Sequence, residues 1–402
     1  MQTRLLLTGL HVDEVRTGPM EVVLEGGTTA LHVGLEADAI RHAQAGRMEH
    51  LTVDAAVSTG TRSDILVAWE APLAGNISAG HTLEDNGQHT VTMETVSLVH
   101  DSGSWDLDTT GARTVQWDGT DWTSLTAEEV VLTGPLGRVS LNTEAGPIGE
   151  RSWLTLDVDG VPAEVLPGWA GAALDIDLPA VDGSLNGRAQ TDLTTREGLA
   201  FLQWQDAAAA PYAIGDLCLD LRWGAGLSGS VQQFVEDDEV LVARLRGPHS
   251  GVVEMNQWPL GLLNPLLDQG GVALRGTADG EVSLDWEDGL PLALGRIRLE
   301  VPELSVEATG GQHAIQGDFR LERGFLGMDQ VLVTDPEGNE ARLNLSVLHE
   351  DYAHWNYDLG IDIVDAPFRV MDLAPAADRL FHGTVYATGE LDVFGDEHGV
   401  EI

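Results

Sequence analysis

The stretch GAGLSG, Gly224 to Gly229, has the G-x-G-x-x-G spacing with which glycine-rich loops cradle a dinucleotide pyrophosphate. That chemistry needs a helix opening at the last glycine inside a parallel βαβ unit. After Gly229 the chain reads SVQQFVEDDEVLVARLRG, which alternates as strand, turn, strand, so the glycines are expected to form a hairpin turn. Aspartate-rich turns such as LDVDG (Leu156 to Gly160) and WDGTD (Trp117 to Asp121) carry calcium-type oxygen ligands. Neither belongs to a twelve-residue EF-hand loop or a glycine-aspartate repeat, and acids that solvate a turn account for them. The 13 histidines are scattered, with no HExxH or paired-ligand spacing. No G-x-S-x-G elbow supplies a serine nucleophile, and the single cysteine, Cys218, sits among alternating leucines as a small buried hydrophobe. With 65 acids some carboxylate pair must lie near any cleft, so pairing alone carries no information about glycoside hydrolysis. The 11 tryptophans read as plugs for a thin sheet body before they read as sugar-stacking platforms. The expectation is a protein with no enzymatic activity, no cofactor and no metal.

The elements that must carry these residues are strands. WLTLDVDG places Leu154, Leu156 and Val158 on one face, ALDIDLP places Leu174, Ile176 and Leu178, and LCLDLRW places Leu217, Leu219 and Leu221. RIRLEVP, ARLNLSVLH and YDLGIDIVD repeat the pattern with Asp, Arg, Thr or Asn on the other face, as a sheet wet on one side requires. Gly, Asp-Gly and Pro punctuate the runs as turn signals. Helical patterns are few: short turns within Asn256 to Gln269 and Ala374 to Leu380, and a longer candidate at Leu35 to Met48 with Leu35, Ala39, Ile40 and Ala43 on one stripe. The fold class is therefore all-β. Alternation continues without a linker-like break, which predicts one elongated, curved sheet forming an open trough, with 1–257 and 258–402 as regions of the same body.

Composition narrows the partners. Against 65 Asp and Glu stand 21 basic residues, every one an arginine, for a net charge of −44. Such a body repels nucleic acid and anionic surfaces at long range. No run approaches the length of a membrane-crossing helix. A single sheet with one apolar face must cover it with protein or with something else, and too few helices are predicted to do so. The residues expected to line the resulting groove are Leu343, Leu345, Val347, Leu359, Ile361, Ile363, Leu391 and Val393. Acyl chains are its natural complement: a tail burying roughly 300 Å² gains several kcal/mol at about 25 cal/mol per Å².

From about Trp258 onward the letters become more specific. WPLGLLNPLL, LRGTADGEVSLDW, RIRLEVPELSV, VTDPEGNEARLNLSVLHEDYAHWNYDLGIDI and FRVMDLAPAADRLFHGTVYATGELDVFG resemble the C-terminal part of the TamB family, the inner-membrane subunit of the translocation and assembly module, in the AsmA-like group. The matching positions are Asp335, Gly338, Asn339, Ala341 and His349, then Phe381, Gly383, Tyr386, Ala387, Thr388 and Gly389. The resemblance implies an elongated β-trough in the bacterial periplasm, tethered to the inner membrane through parts outside this chain. It also implies phospholipid transport between the membranes, outer-membrane protein assembly and secretion, or both, with an outer-membrane β-barrel of the assembly-factor type as partner. The family's N-terminal anchor and usual C-terminal end are missing, so an internal fragment is expected. For the motif residues themselves structural roles come first: Gly383 and Gly389 as bends, Asp335, Gly338 and Asn339 as a turn, His349 as a satisfied structural histidine. The rival from another class is an extracellular β-solenoid, an adhesin or a carbohydrate-binding stalk.

Overall fold

Period-two alternation becomes antiparallel strand nearly wherever it occurs in the computed structural model. The structure describes residues 2–9, 11–12, 15–27, 30–42, 46–58, 62–70, 74–100, 103–111, 113–135, 137–145, 152–165, 181–209, 212–247, 249–267, 271–287, 290–349, 354–375, 382–396 and 399–401. The chain divides into two units, Met1–Ala225 and Gly226–Ile402. The fold class is all-β, as the alternation predicts, and neither unit's sheet closes into a barrel.

In the first unit the sheet runs in hairpin order from Gln2–Leu7 and Met20–Gly26 to Gly198–Ala209 and Tyr212–Trp223. Beside Gln88–His100 it forks: Gly103–Leu107 and Thr114–Asp118 lie end to end along that one strand and pair onward with Val130–Gly134 and Asp121–Ala127. In the second unit the order runs from Ser228–Val235 to Trp355–Ile363, each strand beside the next in sequence. Strand Glu390–Asp396 then continues it, pairing with Trp355–Ile363 and with Gly399–Glu401.

The helix expected over Leu35 to Met48 is corrected. The described part of that stretch, 35–42 and 46–48, belongs to strands Ala30–His42 and Gly46–Ser58, paired with each other at Val33↔Ala55 and Ala37↔Leu51, and Ala43 lies outside the described residues. The helical stripe competes with the alternating set Leu31, Val33, Leu35 and Ala37, which shares Leu35 with it, and pairing on both sides satisfies a backbone that a short isolated helix leaves marginal. The turns expected in Asn256 to Gln269 are a 3-10 turn Leu260–Leu263 and one helical turn Asn264–Leu267. The strand expected around Leu174, Ile176 and Leu178, and most of Ala374 to Leu380, lie outside the described residues.

What bends these sheets is a recurring bulge. At Gly160, Asp206, Gln257 and Gln330 the backbone turns to positive φ (64°, 51°, 50° and 53°), and pairing slips its register there. At each one, an Asn or Asp on the neighbouring strand accepts the bulged N–H through its Oδ1. The pairs are Asn186 to Gly160 at 2.8 Å, Asp216 to Asp206 at 2.7 Å, Asp279 to Gln257 at 2.8 Å and Asn344 to Gln330 at 2.8 Å. Three of these residues carry a side chain in the left-handed region, which costs about 1–2 kcal/mol apiece. The cross-strand carboxamide or carboxylate offsets that cost and satisfies an amide the ladder no longer reaches. Asn344→Ala is accordingly expected to cost about 1 kcal/mol in urea denaturation, the net worth of one such bond.

Immediately after three of the bulges come deeply buried residues, Val161, Ala207 and Val331. The core thus follows the bend. In the first unit a cluster gathers Trp105, Val161, Ala163, Val165 and Leu185, with the 3-10 turn Ala163–Val165 tucked in. In the second, Leu260, Ala278 and Val301 are packed by Met255, Trp258 and Leu274. Asn264 fixes that helical turn by hydrogen-bonding the Leu274 backbone as a strand would, accepting at 2.7 Å and donating at 3.0 Å.

Candidate functional site

The candidate site is the apolar face of the sheet. Antiparallel pairing lines up same-face residues across strands, and in the second unit it builds unbroken apolar rows. One row runs Phe319, Met328, Leu345, Leu359, Val393; the next runs Leu321, Leu326, Val347, Tyr357. A third joins Val331, Leu343, Ile361 and Leu391, and a fourth joins Ile315, Val333, Ala341 and Ile363. All eight residues expected to line the groove therefore share one face. Leu391 is exposed and the other seven are half-buried, none belonging to a closed core. Strands Glu340–His349 and Trp355–Ile363 make their substantial contacts with sheet neighbours.

Burial along this face is graded. In the first unit Leu24, Leu31 and Val57 are 37%, 41% and 38% exposed, while further along the same strands Met20, Ala37 and Leu51 are 8%, 4% and 8% exposed. Met20, Ala37 and Leu51 are one cross-strand row, Leu31 and Val57 are opposite each other near the strands' other ends, and Leu24 lies in the adjacent row. A flat sheet exposes all its rows alike; a face that deepens from one strand end to the other is the inside of a fold. A cleft of about 440 Å³ lies at the deep end, with Met20, Ala37 and Leu51 in its floor and Glu21, Glu36 and Asp38 around it. In the second unit Ala341 and Val331 are the deep residues, and Leu343, Leu345 and Val347 climb away from them.

The opposite face carries the charged residues, some of them in cross-strand pairs, with exposed Leu348 and Phe394 among them. Arg188 grips Asp157 with two nitrogens, at 2.6 and 3.2 Å, while Arg296 meets Asp318 and Arg320 meets Asp329 at 3.8 Å each. These exposed pairs are worth little stability, and their work is to keep that face wet.

Compared with known proteins, the chain matches no family model, no curated protein and no solved structure.

The motif's turn residues gather around Asp335, 4% exposed. Asp335 to Asn339 is a tight turn: the Gly338 N–H donates to the Asp335 carbonyl and the Asp335 N–H to that of Asn339, both at 3.0 Å, with Gly338 at φ 88°. The Asp335 carboxylate accepts from the Glu337 and Asn339 amides at 2.9 and 2.8 Å, the Asn339 side chain at 2.9 Å and the Arg369 amide at 2.8 Å. Burial pushes its carboxyl up, but those four donors together hold it below the usual aspartate value.

The last of those donors ties the turn to a separate two-stranded ribbon, Phe368–Leu373 with Gly383–Ala387. The chain leaves the sheet after Trp355–Ile363, makes this ribbon, and returns at Gly389, whose carbonyl accepts from the Ile363 N–H at 3.1 Å. GTVYATGELDVFG therefore does not form one hairpin. Its first strand pairs in the ribbon and its second in the main sheet, with Gly389 at φ 97° turning the chain between them. Tyr386 donates its hydroxyl to Glu337 at 2.7 Å, and that bond raises the phenol's pKa. Asn339 donates to the Pro367 carbonyl at 3.0 Å, and Phe368 is buried against the His313 ring, centroids 5.6 Å apart. Gly383 turns at φ 121° where the ribbon's second strand begins. Ala387 lies opposite Phe368, while Thr388 is exposed. The His349 amide donates to the Gly324 carbonyl at 2.9 Å, and Ala341 has no exposed surface because it faces the bend. Phe381 lies outside the described residues.

Pattern reading did not single out Glu337, Arg369 or the bulge partners Asn186, Asp216, Asp279 and Asn344. Each looks like an ordinary outward polar residue until its cross-strand neighbour is known. Of the aspartate-rich stretches, WDGTD does turn between Thr114–Asp118 and Asp121–Ala127, whereas LDVDG is corrected: it lies within strand Ser152–Pro162, its Gly160 forming the bulge. Asp108 and Asp121 accept from the amide and hydroxyl of Thr110 and Thr123, the hydroxyl bond first, which lowers both carboxyl pKa values. Strand Ser228–Val235 opens at the end of GAGLSG, where a phosphate loop needs a helix. The Cys218 thiol is pushed up by burial, away from the thiolate a nucleophile requires.

Proposed function

We propose that this chain is a non-enzymatic segment of a lipid conduit in the bacterial envelope, carrying phospholipid between the inner and outer membranes with the acyl chains held on its apolar face. The observation that carries the reading is the graded apolar face. Its rows run unbroken across successive strands, and among the described residues the groove strands Glu340–His349 and Trp355–Ile363 make their substantial contacts with their sheet neighbours. A tail laid along two rows gains several kcal/mol from burial alone, at about 25 cal/mol per Å², without a polar site to bind it. The acidic opposite face keeps such a body in solution. The resemblance of residues 258–402 to the TamB family supplies the compartment: periplasmic, anchored to the inner membrane in the full-length protein, with an outer-membrane assembly-factor barrel as partner and a shared part in outer-membrane protein assembly and secretion.

The test is photocrosslinking in the presence of phospholipid vesicles, with the probe at Leu345 or Leu359 against Arg342 or Asp362 on the other face. Lipid adducts are expected from the first pair alone, and native mass spectrometry of gently purified protein is expected to find phospholipid. Equal labelling from both faces, or a lipid-free protein that labels from neither, would refute the reading.

A further inference from the structure

The fork in the first unit leaves two strands splayed apart. Asp121–Ala127 pairs with Thr114–Asp118, while Gly137–Ala145 parts from Val130–Gly134 after the pair Val130↔Leu141. Among the described residues no ladder pair joins Asp121–Ala127 to Gly137–Ala145. The Thr143 hydroxyl bridges them instead, accepting from the Ala127 N–H at 2.9 Å and donating to its carbonyl at 3.1 Å. Here lies a cleft of about 430 Å³, with Thr114, Gln116 and Thr126 on one branch and Asn142 and Thr143 on the other. Glu128 and Glu129, both exposed, link the branches beside it, and Arg138 already holds Glu129.

Gln116 is opposite Thr126 on one side and Thr90 on the other, an uncharged polar row facing away from the core that Val115 joins. On the other branch Asn142 heads a second such row, with Thr155 and Gln190. Thr155 is fully buried and accepts from Gln190 at 3.1 Å. Asn142 Oδ1 and Thr90 Oγ1 are also shut from solvent, yet neither has a hydrogen-bond partner among the described residues. Buried polar groups are nearly always paired, so an orphaned oxygen on a residue lining a polar cleft marks where a donor belongs. A modest rotation of the Asn142 amide, whose last torsion is soft, turns that oxygen to a ligand seated there.

We propose that this cleft binds a neutral sugar, one or two rings of a glycan, through hydrogen bonds alone. Its volume is that of a small-molecule site. Hydroxyls and carboxamides donate and accept, whereas Asn142 Oδ1 and the carboxylates only accept, so the ligand must be rich in donors. Adjacent sugar hydroxyls supply donors and acceptors together. Glu128, Glu129 and the net charge of −44 repel an anion, and an apolar ligand would leave the lining unpaired. The site lies on the face away from the apolar rows and is independent of the lipid reading.

The experiment titrates the whole chain, without lipid, with N,N′-diacetylchitobiose and with maltose, read by calorimetry and saturation-transfer NMR. Saturable binding of at least one probe is expected. Asn142→Ala is expected to weaken it at least about tenfold, and the isosteric Thr126→Val about threefold. Because the Asn142 oxygen has no partner among the described residues, Asn142→Ala is expected to keep or raise stability in urea, which a structural role would not allow. Binding of neither sugar, unaltered affinity in both variants, a destabilised Asn142→Ala, or spermidine binding more tightly than both sugars would overturn the site.

Discussion

Val331→Asp is expected to unfold the Gly226–Ile402 unit, whereas Leu345→Asp leaves it folded and abolishes lipid retention. Both side chains lie on one apolar face of adjoining strands, and the same carboxylate is added to each. Val331 is 2% exposed at the bulge that follows Gln330, where no basic residue faces it across the pairing: its opposite number is Leu343. An uncompensated charge there costs about 3–5 kcal/mol, a large part of an ordinary domain's stability. Leu345 sits higher on the wall, half-buried, so its carboxylate reaches water and the cost falls to about 1 kcal/mol. The charge nonetheless stands in the row Phe319, Met328, Leu359, Val393, and an acyl chain crossing it loses its dry surface. Urea denaturation by circular dichroism and lipid extraction of the purified variants read the two effects separately. Equal loss of stability at both positions would mean the face is a closed core and not a groove.

The second large effect is at Asp335. Asp335→Ala removes one acceptor group and strands four donors, three of them backbone amides, at a position that is 4% exposed. Hydrogen bonds to a charged group are worth about 1.5–3 kcal/mol each and do not add fully, so a loss of about 3–4 kcal/mol is expected. Hydrogen exchange localises it: the amides of Phe368–Leu373 are expected to lose protection first, because the Arg369 amide is the ribbon's bond to this carboxylate. Unaltered exchange in that strand would show that the ribbon stands without Asp335. Acid tests the same bond. The folded-state pKa is depressed, so this stabilisation is complete above the ordinary carboxylate value of about 3.9 and is lost as pH falls through the lower folded value. Ribbon protection should therefore fall below about pH 4 in the wild-type chain and fall less in Asp335→Asn, which keeps the ribbon's other carboxylate contacts at Glu337 and Asp372.

Alternation alone was enough to name the strands and to put Leu343, Leu345, Leu359 and Ile361 on one face, since period two leaves no other way to bury them. It failed at Leu35 to Met48, where the helical and strand periods share residues and only pairing with Met20–Gly26 decides between them. The turn at Asp335 to Asn339 is legible because Asp, Gly and Asn favour that backbone locally. Its tie to Arg369 and Tyr386 is not, because 34 and 49 residues separate the partners.

By itself, then, the sequence determined an all-β, wet-on-one-side sheet with an acidic body and no recognisable catalytic motif. These properties come from side-chain type and a two-residue period, both local. Only the tertiary structure decided where the sheet bends, how deep each row of the apolar face lies, and which polar residues are structural. A left-handed Gln330 is strained until Asn344 from the next strand takes its amide, and Val331 is buried only because that bulge exists. Cross-strand register sets these pairs, and register is a property of neighbours that no single stretch of chain contains.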